Sequence, residues 1–106
     1  MDKPIVSRHG DRRCRQRVGV PRKAVERTAR KALVYGIDHR TATGGLQRYL
    51  AALYNRYDGN GDNIKIYGDK VYVFHAELLI TVLNLPSEYR KAAVSQQKRL
   101  EAKQCE

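Results

Sequence analysis

With 106 residues, 42% of them hydrophobic, the chain has room for one small core and none for a second, so a single domain is expected. A formal net charge of +10 excludes an acidic solvating sequence, and no stretch approaches the roughly 18 consecutive apolar residues that span a bilayer. Cys14 and Cys105 are the only cysteines, too few for the disulfide framework of a small secreted fold and at no spacing that suits structural zinc. With an opening that lacks an apolar signal core, the sequence reads as cytoplasmic, with no membrane partner, no metal and no cofactor.

The charge is unevenly placed. Through Tyr57 there are fourteen Lys or Arg against Asp2, Asp11, Glu26 and Asp38, whereas from Asp58 onward seven basic residues meet seven acids. Eleven of the fourteen are arginine, whose planar fork binds phosphate bidentately and stacks on bases. That bias points to nucleic acid as the partner.

In chain order, the first helix is expected from Ser7, its N-cap, to about Arg17, where "VGVP" ends it. Pro21 suits the first turn of a second helix, with Val25, Ala29, Ala32 and Leu33 as its apolar stripe and Gly36 at its C-terminus. Leu46, Tyr49, Leu50, Leu53, Tyr54 and Tyr57 recur at three-to-four spacing and predict a third helix, its tyrosines read as core packing, which stops at "DGNGDN". The period then changes. "NIKIYGDKVYVFHAELLITVLNLP" predicts three antiparallel strands turning at Gly68-Asp69 and near Ala76-Glu77, the second and third apolar on both faces. Pro86 closes the last strand, and a polar helix capped by Ser87 follows. The fold class is therefore α+β, N-terminal helices packed on a small three-stranded antiparallel sheet with a C-terminal helix.

The stretch "SRHGDRRCRQR" carries the densest chemistry. His9, Arg13 and Arg17 are four residues apart and share one helical face, a row of cations that repels itself unless acids or an anionic ligand compensate. Histidine and arginine together can move protons and hold phosphorane charge when a 2′-hydroxyl attacks its own phosphate. His9 is equally suited to a capping or purely structural role. Arg8, Arg12 and Arg15 flank the row, and with Arg22 they extend the nucleic-acid surface. Thr81 is a hydroxyl in an otherwise apolar strand, while Tyr67 and Tyr72 offer hydroxyls to phosphate or rings to bases. Cys14 lacks a readable base or resolving partner and is taken as structural, and His39 and His75 as ordinary surface residues.

The order His-xxx-Arg-xxx-Arg-Val-Gly-Val-Pro, a helix ending in "ALVYGI", and the hairpin "GDKVYVFHAELLITVLNLP" resemble the DUF4258/BrnT-like group of the RelE-like toxin superfamily. The resemblance covers residues 5–36 and 64–85. It implies a barnase/RelE-type fold with helices on a curved antiparallel sheet, and ribosome-dependent or free RNA cleavage, with a ribosome or an antitoxin among the partners. Carried over by position, it assigns His9, Arg13 and Arg17 to the N-terminal motif and Thr81 to the strand motif. The expected function is RNA binding with metal-independent endoribonuclease activity. The alternative is a non-catalytic, phage-type inhibitor that occupies a nucleic acid or nucleoprotein.

Overall fold

The computed structural model describes residues 5–57, 61 and 63–104; the loop expected over "DGNGDN" lies outside the described residues except for Gly61 and Asn63. The chain runs through β1 (Ile5–Val6), α1 (Arg8–Val18), a 3-10 turn (Arg22–Ala24), α2 (Val25–Tyr35), α3 (Gly44–Arg56), β2 (Asn63–Tyr67), β3 (Lys70–His75), β4 (Leu78–Asn84), a second 3-10 turn (Ser87–Tyr89) and α4 (Arg90–Gln104). This is the expected α+β class: N-terminal helices, three antiparallel strands and a C-terminal helix.

Three details depart from the sequence reading. Ile5 and Val6 add a fourth strand, parallel to β4, giving the sheet order β1-β4-β3-β2. Gly36 does follow α2, but at φ −69, outside the left-handed region. Glycine is required there by close approach, since a Cβ would stand 2.5 Å from the Ala32 carbonyl oxygen and 2.9 Å from the Lys65 Cβ. Ser87 lies inside the second 3-10 turn, with Pro86 at its N-cap position, so it does not cap α4.

Helices cover both sheet faces, which explains why β3 and β4 are apolar on both sides. Tyr72, Phe74, Leu79 and Val82 pack on Cys14 of α1 and on Val25, Ala29 and Ala32 of α2. Ile64, Ile66, Val71 and Val73 pack on Leu46, Leu50 and Leu53 of α3 and on Ala93 of α4. Two adjacent glutamines of α4 tie the helices together. Gln96 accepts from the Thr43 N–H at 3.0 Å and donates back to the Thr43 carbonyl at 3.3 Å, at the head of α3. Gln97 donates to the Tyr35 carbonyl at 2.7 Å, at the end of α2.

The sheet is not regular. Val73 pairs with Thr81 but the next residue, Phe74, pairs with Leu79, so Ile80 is the extra residue of a β-bulge.

One carbonyl organises the seat of α1. The Leu79 oxygen accepts from the Ser7 N–H at 3.1 Å and from the Ser7 hydroxyl at 2.9 Å, while the same hydroxyl accepts the Gly10 N–H at 2.9 Å as the N-cap. A Cβ on Gly10 would stand 2.4 Å from that oxygen, so only glycine lets the first turn of α1 lie on β4. Removing the cap with Ser7→Ala is expected to cost about 1–2 kcal/mol, and Gly10→Ala about 1–3 kcal/mol because the helix must lift. Both are read as a lower urea midpoint at unchanged m-value.

Cys14 sits at the centre of this contact, fully buried. Burial, and secondarily the Asp11 carboxylate, push its thiol from 9.0 up to about 11, so the neighbouring arginines do not activate it. Below pH 9.0 the thiol is protonated in both folded and unfolded chains and its contribution to stability is complete. As pH rises from 9.0 to about 11, the unfolded chain ionises first and that contribution is lost. Urea midpoints measured across this window should fall more steeply for wild type than for Cys14→Ala.

Candidate nucleic-acid interface

Because Gly10 and Cys14 face the sheet, the opposite face of α1 is set by the helical period. Arg8, Arg12 and Arg15 recur at i, i+4 and i+7 and are all exposed. The residues read as flanking charge thus form the outermost row. Arg13 and Arg17 lie half-buried along one flank, and His9 is exposed beside them.

The contacts divide these cations into two sets. Asp11 takes Arg15 through both Nη2 at 2.9 Å and Nε at 3.1 Å. Arg13 donates from Nε to His9 Nε2 at 3.3 Å and from Nη1 to Gln16 Oε1 at 3.1 Å. Arg13 Nε points at the Nε2 position of the His9 ring, so the two side chains form a donor–acceptor pair one turn apart. Arg8, Arg12, Arg13 and Arg17 have no carboxylate partner among the described residues.

At the head of α1 a cleft of about 380 Å³ brings Arg8 together with Arg22 and with Lys23, which the sequence reading did not single out; Ser7, Asp11 and Glu26 complete its polar wall. The signal for Lys23 was present in "PRKA", where it shares a single 3-10 turn with Arg22.

Two residues proposed from sequence do not join this surface. Thr81 is 6% exposed and pairs with Val73, whose side of the sheet packs on α3, so the sheet separates it from His9, Arg13 and Arg17. Tyr72 is 2% exposed in the cluster around Cys14, and burial pushes its phenol well above the ordinary tyrosine range. A side chain enclosed between β3, α1 and α2 reaches neither phosphate nor base. Tyr67, at the end of edge strand β2, is half-buried against the same cluster. His39 and His75 are exposed, as expected.

Among the described residues, no three or more His, Cys, Asp or Glu come together in a group able to hold a metal ion, and no helix is long and apolar enough to cross a membrane. Protein-family models, curated proteins and solved structures were each compared with the chain, and none matches it.

Proposed function

We propose that this chain binds nucleic acid, with RNA as the intended polymer, through the outward face of α1 and the cleft at its head. The observation that carries the reading is the set Arg8, Arg12, Arg13 and Arg17, four arginines on one short helix with no carboxylate partner among the described residues. Cations at this spacing repel one another, and a row of phosphates relieves the repulsion while gaining charge-assisted hydrogen bonds. RNA is chosen over DNA on the resemblance of the N-terminal motif and the late hairpin to RelE-like toxins.

A second reading, metal-independent RNA cleavage, rests on the His9–Arg13 contact. A phosphate that takes the Arg13 guanidinium would free the His9 Nε2 lone pair to accept a 2′-hydroxyl proton, so binding and proton transfer would be coupled at one pair. Thr81 has no part in it, since the sheet lies between.

Binding of a single-stranded RNA measured against salt concentration should give a log–log slope of about −3, four phosphate contacts at about −0.7 each. Arg12→Ala and the double variant Arg8→Ala/Arg12→Ala should flatten the slope by about one contact and two contacts. A slope near zero, or one unchanged in the double variant, excludes this face as the binding surface. The same RNA incubated in EDTA decides the second reading: cleavage that His9→Ala abolishes, and that a 2′-deoxy substitution at the target nucleotide also abolishes, is the expected signature of catalysis. Intact RNA at every protein concentration leaves binding alone.

A further inference from the structure

A second polar cleft lies at the opposite edge of the sheet, between the loop after α2, the outer side of α3 and the start of β2. It is an open cleft of about 500 Å³, within the usual size range of small-ligand sites. We propose that it binds one purine nucleotide: the base stacks on His39 with its edge read by Asn55 and Asn63, and the phosphate is held by Arg40. The proposal is independent of the arginine face of α1.

The walls of the cleft are pre-set. Asp38 Oδ1 accepts from the Arg40 and Thr41 N–H groups at 3.0 Å each and lies 3.2 Å from the Thr41 hydroxyl, while Oδ2 meets Lys65 Nζ at 3.3 Å. Burial alone would raise this carboxyl, but the Thr41 N–H and Lys65 outweigh burial and hold it below the ordinary aspartate range. Asp38 thus shapes the loop through Oδ1, and the Lys65 ammonium on Oδ2 offsets its charge toward a phosphate. The His39 carbonyl is anchored by Gln47 Nε2 at 3.0 Å. Its ring meets Tyr54 edge to face, with centroids 6.0 Å apart at 81°. The Tyr54 hydroxyl in turn accepts the Ile64 N–H at 3.1 Å, which fixes the tyrosine against the sheet.

What the scaffold leaves open is the chemistry of a nucleotide site. His39 is exposed, and a single near-perpendicular contact with Tyr54 covers at most one face of its ring, so a planar base has a face to stack on. The Asn55 side chain makes no hydrogen bond among the described residues, and the Asn63 side chain uses only its Nδ2, on the Ala76 carbonyl at 3.5 Å. An asparagine amide offers a donor and an acceptor side by side, the pairing that reads N6 and N7 of adenine. Arg40 is exposed and has no carboxylate partner among the described residues, which leaves its fork for phosphate. A free nucleotide and one unpaired nucleotide of a longer strand present this same chemistry.

The test is a titration of the full chain with adenosine 5′-monophosphate, followed by backbone amide NMR, with inorganic phosphate and an oligoadenylate as parallel arms. With the mononucleotide, saturable shifts are expected at residues 38–40, 54–55 and 63 and the amides of α1 stay unmoved, whereas the oligoadenylate, a single strand, also shifts the amides of α1. His39→Ala and Arg40→Ala, both at exposed positions, should each weaken binding about tenfold, the lower range for loss of a stacked base or a bidentate phosphate contact. Arg12→Ala should leave it unchanged. If the oligoadenylate binds the cleft more tightly than the mononucleotide, the source is a strand; if the mononucleotide binds as well or better, it is a free nucleotide, and either result supports the site. Absence of saturation up to about 10 mM, equal affinity for inorganic phosphate with the same shifts, or wild-type affinity in both variants overturns it.

Discussion

The Leu79 carbonyl oxygen is the point on which the arrangement of the arginine face depends. It receives two hydrogen bonds from Ser7 and lies where a side chain on Gly10 would stand, so it fixes both the position and the rotation of α1 on β4. Rotation decides which side chains face outward. With Gly10 and Cys14 held against the sheet, the 3.6-residue period sends Arg8, Arg12 and Arg15 outward and leaves Arg13 and Arg17 on a flank. A helix turned by one residue would bring Arg13 or Arg15 against the sheet, and burying a guanidinium there costs far more than the cap that prevents it. The buried, protonated Cys14 thiol belongs to this constraint: it fills the contact as a small apolar group.

Most elements of the fold are legible in the sequence because each has a local cause. Ser7 announces α1, the apolar spacing of Leu46, Leu50 and Leu53 announces α3, and Gly68-Asp69 marks the β2–β3 turn. The two misplaced site residues, Thr81 and Tyr72, share a different cause, in that each depends on which side of the sheet its side chain meets. Counting by twos along β4 puts Thr81 on the same face as Leu79, toward α1. The bulge at Ile80 reverses this, so that Leu79 and Val82 face α1 while Thr81 faces α3. A bulge inside "LLITV" has no glycine or charged residue to signal it. Tyr72 fails for a related reason: in β3 the residues Val71 to Phe74 are all buried, so alternation carries no information about exposure, and a tyrosine there looks the same whether its hydroxyl reaches water or not. Ile5 and Val6 are too short a run to read as a strand, and only β4 makes them one.

The acids explain why so many arginines remain available. Each aspartate among the described residues holds a cation of its own chain: Asp11 takes Arg15, Asp38 takes Lys65, and Asp69 lies 3.5 Å from Lys70 and 3.9 Å from Arg90. Neutralisation is thus local and structural, confined to pairs that steady a helix turn, a loop or a hairpin. The two clefts follow the same division of labour. At the head of α1, Asp11 is occupied by Arg15, and Arg8 and Arg22 face the opening. Beside α3, Asp38 is saturated by Thr41 and Lys65, and Arg40 is left at the rim. Surface ion pairs contribute little to stability, so a chain selected only for solubility gains almost nothing by keeping its acids fixed in this way. What the arrangement does achieve is to stop the acids from competing for the guanidinium groups, because a carboxylate already held by two or more donors cannot swing out to pair with a neighbouring arginine. Arg8, Arg12 and Arg17 therefore keep their guanidinium donors free of carboxylates, and the low density of acid on α1 becomes a property of the surface as well as of the composition.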